Sequence, residues 1–342
     1  MPRLASPPAR ARHRAMREAA RSMAKRLAFA ALGSPPAVAA KLRAIRSAGV
    51  LTILNLHRVG PDDGSTYRPL DPGLFDQLLR FVRRNFEVVT FADLGKGERT
   101  RKPRLILSFD DGYADFATHA APLLEKHGLR ANLNIIPDCV ETGRPPLNIV
   151  VQDFAGRAPR DELYRIAIPG LDADPRRMSR AAFGRALGMF VVAQPIAKQR
   201  ALGEMLLPRI LNVGGFAPTP MLGLAELRTL ARRHEIGAHS FAHASMALES
   251  DDYLRDDVRR CRRWFAEHLD RQLGIYAFPN GSFRDGQVGL VQAEGISDVL
   301  LVEEDFSAPD SAVRNRFTFD ARTSSEARFR ATGAWRWPKR RR

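Results

Sequence analysis

The run Leu105-Ile106-Leu107-Ser108-Phe109-Asp110-Asp111-Gly112 ends an apolar strand on two adjacent carboxylates. Successive strand side chains point to opposite faces, so neighbouring aspartates ordinarily look different ways. At the end of a strand, with Gly112 free to turn the backbone, both can reach one cleft and take different jobs. One can hold a metal while the other stays free as a base. Alone, such a pair reads as a turn or a helix cap. Far downstream, Glu235-Ile236-Gly237-Ala238-His239-Ser240-Phe241-Ala242-His243 offers two imidazoles four residues apart, at the end of another short apolar stretch. Two histidines and one aspartate make the three-ligand set of an open Zn²⁺-type site, with a position left for water. The chemistry this pattern predicts is metal-dependent hydrolysis. A third element is Tyr276-Ala277-Phe278-Pro279-Asn280-Gly281-Ser282, a strand stopped by a Pro-Asn-Gly turn.

At these residues the chain resembles the polysaccharide deacetylase family, carbohydrate esterase family 4, with its NodB-type domain. Ser-Phe-Asp-Asp-Gly at 108–112 is similar to the family's first motif, His-Ser-Phe-Ala-His at 239–243 to its second, and Phe-Pro-Asn-Gly at 278–281 to its third. The resemblance covers most of residues 50–330 in the right order. It implies Asp110 as catalytic base and Asp111, His239 and His243 as metal ligands. It also implies the turn Pro279-Asn280 as a substrate and oxyanion site, through the backbone N–H near Asn280. A divalent metal follows, with Zn²⁺ expected and Co²⁺, Ni²⁺ or Mn²⁺ as alternatives.

Two positions depart from the family. The arginine that often stands two residues before the third motif's proline, steadying the catalytic aspartate, is Ala277 here. Arg314 or Arg316, near the final strand, is the candidate substitute on position alone. The family's C-terminal histidine, the general acid for the departing amine, is also missing, because no histidine follows His268. His57 differs from the others in closing the strand Val50-Leu51-Thr52-Ile53-Leu54-Asn55-Leu56. The run Leu54-Asn55-Leu56-His57-Arg58-Val59 resembles the Tyr-His-x-Val signature of a circularly permuted branch that deacetylates exopolysaccharides. In that branch the strand bearing the acid comes first instead of last. His57 is therefore expected to be the general acid, while His119, His127, His234 and His268 are expected on solvated faces.

These residues need a frame. Strands are expected at 50–57, 86–91, 104–109, 131–136, 236–239, 273–278, 297–302 and 314–319. Between several of them lie helical stripes: Leu74, Leu78, Leu79 and Val82 after the start signal Asp71-Pro72, and Leu254, Val258, Cys261, Phe265 and Leu269. Such alternation predicts an α/β fold, a distorted (β/α) TIM-like barrel of about seven strands, with the site at the strand C-termini. Asp111 and His239 are 128 positions apart, more than one strand-helix step needs. Residues 141–218 are therefore expected to be a helical insertion, read as a cap over the mouth or as packing on the barrel's outside. The expected division is a basic extension at 1–48, the catalytic barrel at 49–332 and a basic tail at 333–342.

Net charge is +16, which ordinarily raises nucleic acid or acidic membrane as partner. Residues 1–50 alone carry +10 and residues 336–342 a further +5, so the body is nearly neutral and no specific nucleic acid is expected. On a helix, Met16, Ala20, Met23, Leu27 and Ala31 would fall on one side and Arg14, Arg17, Arg21 and Lys25 on the other. A basic amphipathic helix suits an anionic membrane surface; a docked helix or a tail is the alternative. The apolar run at 27–32 is too short for a secretory signal. Cys139 and Cys261 suggest no disulfide framework, so a cytoplasmic location, peripheral on the inner face of the membrane, is expected. This departs from the exported members of the permuted branch. The expected function is removal of N-acetyl groups from an amino-sugar-containing polysaccharide, oligosaccharide or lipid-linked glycan. The alternatives are an O-deacetylase or amidase on the same barrel, and an inactive barrel serving as a membrane- or nucleic-acid-associated interaction protein.

Overall fold

The computed structural model describes residues 23–95 and 101–339. Helix α1 (23–32) and α2 (Pro35–Ala48) lead into β1 (Thr52–Leu56), followed by α3 (Pro72–Asn85), β2 (Glu87–Val88) and β3 (Arg104–Phe109). Next come α4 (Ala121–Lys126), β4 (Asn132–Ile135), α5 (Pro137–Thr142), α6 (Leu147–Arg157), α7 (Arg160–Tyr164), α8 (Arg180–Val192), α9 (Ile196–Leu211) and α10 (Leu224–Leu230). The chain ends with β5 (Glu235–Ala238), α11 (Asp251–Leu269), β6 (Ile275–Ala277), α12 (Gln287–Ala293), β7 (Asp298–Leu300), β8 (Val313–Arg314), β9 (Phe317–Thr318) and α13 (Ser324–Ala331).

The strands form one sheet in the order β8-β7-β6-β5-β4-β3-β1-β9, with β2 beside the start of β3. The last two are halves of one short segment: Arg314 pairs with β7 and Phe317 with β1, so residues 313–318 touch both edges of the sheet. Counted once, that segment makes a ring of seven parallel positions, the distorted barrel expected from strand-helix alternation.

Period-2 patterning decides which side chains face where. Leu54, Leu56, Leu105, Leu107, Phe109, Leu133, Ile135, Tyr276 and Phe317 belong to the large core beneath the helices. The intervening Leu51, Ile53, Ile106, Ile275, Ala277 and Leu300 form a separate apolar plug with Phe91. Level with the ends of β1 and β3 and beyond, the inward positions turn polar, as Asn55, Ser108, Asn132 and Asn134, all at most 1% exposed. The helices close over this sheet with their apolar stripes, and α3 starts where the Asp71 carboxylate accepts the Leu74 N–H at 2.9 Å.

Residues 141–218 build their own small core from Phe154, Phe183, Leu187, Val191, Leu202 and Ile210. Pro208 does not interrupt its last helix, which runs on to Leu211. At the N-terminus α2 is docked, with Ile45 fully buried in the main core. Met16, Ala20, Arg14, Arg17 and Arg21, which carry much of the expected amphipathic pattern, lie outside the described residues. Among the described residues no helix is long and apolar enough to cross a membrane.

Two histidines expected on solvated faces are buried. His127 Nε2 lies 2.8 Å from Asp76 Oδ1, and His234 accepts the Ala131 N–H at 3.3 Å with its ring edge-on to Phe116. Each was read as exposed because its partner lies far away in the chain.

Candidate active site

Strand β3 ends at Phe109, and the chain turns through Asp111 (φ 76°) and Gly112 (φ 80°). That turn swings the Asp111 carboxylate into the same cleft as Asp110. A Cβ on residue 112 would stand 3.0 Å from Ile135 Cγ2, so glycine suits the position sterically as well as conformationally. After β5, Ser240 (φ 60°) and His243 (φ 59°) also take left-handed backbone. Such residues are uncommon outside glycine and collect where surrounding structure holds them for a purpose.

The result is a buried group of three donors. Asp111 Oδ1 lies 3.4 Å from His239 Nε2 and 3.5 Å from His243 Nε2. These separations are long for hydrogen bonds, and Asp111 Oδ1 has no hydrogen-bond partner. Ligands held at ~2.0–2.2 Å around a tetrahedral ion stand roughly 3.3–3.6 Å apart, so the spacing is that of a tetrahedral edge. The other nitrogen of His239, Nδ1, lies 3.0 Å from the Ala277 carbonyl, which fixes the ring with Nε2 facing the cleft. Burial pulls the His243 pKa down to about 4 against the opposing pull of Asp111, keeping the imidazole neutral, the form that ligates a metal. The donor set thus fits a divalent cation.

Asp110 sits outside that trio, its Oδ2 3.9 Å from His239 Nε2. Arg316, fully buried in the gap between β8 and β9, grips it with both arms at 2.7 and 2.8 Å, and Asn134 Nδ2 donates to Oδ1 at 2.8 Å. Arg316 itself is braced by Nε donating to the Leu301 carbonyl. Burial pushes the Asp110 carboxyl up, but Arg316 and His239 outweigh it and hold the group well below the usual carboxylate range. The two candidate arginines therefore separate. Arg314 turns to Asp298 at 2.9 Å and to the carbonyls of Ala308 and Pro309, and it makes no bond to Asp110.

His57 reaches the same cleft from β1. The register sets Leu56 beside Phe109, which carries His57 to the level of Asp110, and the Asp110 N–H donates to the Leu56 carbonyl at 2.9 Å. Together His57, Asp110, Asp111, His239, His243 and Asn280 line a cavity of about 300 Å³. Burial lowers the His57 pKa, opposed by Asp111 and Asp110. Asn280 (φ 56°) presents the turn that follows β6, its Nδ2 donating to Ser245 Oγ at 3.2 Å, while Pro279 is buried and supports it from below. The insertion supplies one wall of the cavity, with Asn148 and Gln152 of α6 and Arg185, Met189 and Val192 of α8.

Two neighbours escaped the sequence reading. Tyr67 stands edge-on to His57 with ring centroids 5.9 Å apart, and it lies in a loop with no motif. Asp257 of α11 accepts the Phe241 N–H at 3.0 Å and the Ser240 hydroxyl at 3.1 Å, tying down the loop between the two histidines. Its signal was present: an acid at 257 falls within the apolar stripe formed by Leu254, Val258 and Cys261.

Residues 189–297 match the sequence profile of the polysaccharide deacetylase family. Over that stretch, about a third of the chain, the sequence is similar to that family. The matched stretch holds the histidine pair and the Pro-Asn-Gly turn, while the aspartate pair lies upstream, across the insertion. Solved structures agree in fold. Streptococcus pyogenes deacetylase PplD in complex with acetate is 15% identical, over 83% of this chain and 98% of that chain, with a TM-score of 0.54. IcaB from Ammonifex degensii is 16% identical over 83% and 97%, also with a TM-score of 0.54. A polysaccharide deacetylase from Bacillus cereus is 11% identical over 83% and 69%, with a TM-score of 0.53. No curated protein matches the chain in sequence. The family is one of hydrolases that cleave amide bonds of acetylated sugars, and this chain has its barrel and an Asp-His-His donor cluster.

Proposed function

We propose that this chain is a metal-dependent N-deacetylase of an amino-sugar-containing glycan. The observation that carries the reading is the tetrahedral-edge spacing of Asp111, His239 and His243 beside an arginine-paired Asp110 in one buried cavity. Asp111, His239 and His243 would hold a divalent ion, which when bound supplies Lewis-acid polarisation of the acetamide carbonyl and acidifies a water.

The chain's own residues do the rest. Asp110, ionised throughout the neutral range and locked by Arg316, accepts the proton of the attacking water. The Asn280 turn offers a backbone N–H to the developing oxyanion, a contribution of ~3 kcal/mol for a well-placed donor. His57, on the strand next to Asp110, gives a proton to the departing amine. Its lowered pKa means that this proton is lost at a lower pH than from an ordinary imidazole. The α6–α8 wall, with Arg185 and Gln152 at the mouth, contacts the sugars that flank the acetylated unit.

The test is to strip the purified chain of metal, restore Zn²⁺, Co²⁺, Ni²⁺ or Mn²⁺ in turn, and supply N-acetylated chito-oligosaccharides. Acetate and free amine should appear in equal amounts and only with metal. Acetate without amine from an O-acetylated glycan would move the assignment to an ester. No release from any acetylated glycan would leave an inactive barrel.

A further inference from the structure

Both ends of the described chain meet on one flank of the barrel, away from the cavity. A Cβ at Gly33, in the turn between α1 and α2, would stand 2.1 Å from the Ser325 carbonyl, so this turn is seated directly on the start of α13. Phe29 of α1 packs against Phe329 of α13 with ring centroids 5.6 Å apart, and Phe329 meets Trp335 edge-to-face at 4.8 Å. Lys41 of α2 donates to the Ala334 carbonyl at 2.8 Å and lies 5.4 Å from the Trp337 ring centroid. These contacts fix the C-terminal segment while leaving its indoles in solvent: Trp335 is 72% exposed and Trp337 61%. On α1, Met23 and Leu27, one turn apart, are 58% and 64% exposed. Half of the large exposed apolar side chains among the described residues thus belong to α1 and this segment. None of them lines the active-site cavity.

Charge collects there too: the described residues 23–50 and 336–339 carry seven Lys or Arg and no Asp or Glu. Lys25 and Arg26 of α1, Arg43 and Arg46 of α2 and Arg336 between the two indoles are exposed. We infer that this flank is a docking surface for an anionic lipid bilayer, with Trp335, Trp337, Met23 and Leu27 entering the interface and the surrounding cations facing the headgroups. Indoles settle at the boundary between headgroups and acyl chains, and exposed cations are drawn to the negative surface. A nucleic acid would use the charge but not four solvated apolar side chains. A second copy of the chain would set these cations against one another.

The full chain is floated with vesicles of phosphatidylcholine alone or containing about a third phosphatidylglycerol, at low and high salt. Binding should require the anionic lipid and weaken as salt screens it. The double variant Trp337→Ser/Leu27→Ser, two exposed sites whose replacement spares the Phe29–Phe329 packing, should bind at least ~10-fold more weakly. Brominated acyl chains should quench indole emission, a signal from the two exposed tryptophans because Trp264 is buried. Four outcomes would overturn the inference: equal binding by the double variant, equal binding to neutral vesicles, no quenching on bound vesicles, or burial of the indoles by self-association without lipid. Turnover of soluble substrate plays no part in the readout, so this surface and the deacetylase reading fail separately.

Discussion

The mouth of the barrel and its α2–α13 flank treat charge in opposite ways. At the mouth, Asp110, Arg316, Asp111, His239 and His243 are each at most 5% exposed. On the flank, cations and large apolar side chains stand together in solvent. Burying an ion costs several kcal/mol unless a partner repays it, so every charge at the mouth must be matched. Asp110 is matched by Arg316, while Asp111 Oδ1 has no hydrogen-bond partner, and under the proposed function a cation would complete it. The flank is under no such constraint, since exposed cations cost the fold little. Its residues acquire a purpose only from something outside the chain.

The contrast breaks first at His239. His239→Ala should take metal content, measured by elemental analysis, towards zero and turnover to background. Retention of one full equivalent of metal would remove His239 from the ligand set. Next in size is His57→Ala, expected to lower kcat by ~10²–10⁴ while metal content is unchanged. Loss of both together would mean that His57 shapes the metal site instead of supplying a proton. The tail residues provide the control: Trp337→Ser should leave turnover of a soluble substrate as it was.

Arg316→Met tests the pairing itself. Leaving Asp110 buried without its guanidinium should destabilise the fold by roughly 3–5 kcal/mol in denaturant titration. It also reverses the electrostatics, because the burial that pushes the Asp110 carboxyl up is no longer outweighed. A base must be ionised to act, so the acid limb of the pH–rate profile should move to higher pH in the variant. An unmoved limb in a folded variant would show that Asp110 is not the group being titrated.

These residues differ in how far the sequence betrays them. The barrel was legible because alternation of apolar and polar positions dictates two faces for each strand, and β3 and β5 read almost to the residue. The Asp-His-His cluster was legible because its spacing is local: two aspartates side by side, two histidines four apart. Arg316 was only half legible. Position marked it together with Arg314, but choosing between them requires the break between β8 and β9, which turns Arg316 to Asp110 while Arg314 is held by Asp298. His127 and His234 were misread because a polar residue looks exposed until its partner is known. Tyr67 and the α6–α8 wall depend on contacts across long stretches of chain, which no local pattern encodes.

The smallest effect lies behind the loop between His239 and His243, where the mouth carries a buried carboxylate that no cation matches. Asp257 accepts hydrogen bonds from the Phe241 N–H, the Ser240 hydroxyl and the Tyr276 hydroxyl. Burial nonetheless dominates and raises its pKa from 3.8 to about 6. A carboxyl raised on folding binds its proton more tightly in the native state than in the unfolded chain. Its contribution to stability is therefore fully present below pH 3.8 and is lost as pH rises through about 6. A shift of this size corresponds to on the order of 2–3 kcal/mol. Asp257→Asn keeps an oxygen for Phe241 and Ser240 and offers an amide N–H to the Tyr276 oxygen, but it cannot ionise. Unfolding free energies of the two proteins, measured at pH 4.5 and 7.5, should diverge, with the variant gaining relative to the wild type at the higher pH. Asp257→Ala instead frees the loop between His239 and His243 and should weaken metal binding ~10–100-fold. Identical pH slopes in wild type and Asp257→Asn would mean that Asp257 is ionised as readily in the folded protein as in the unfolded one. The mouth would then tolerate an unmatched charge, and the contrast with the flank would lose its physical basis.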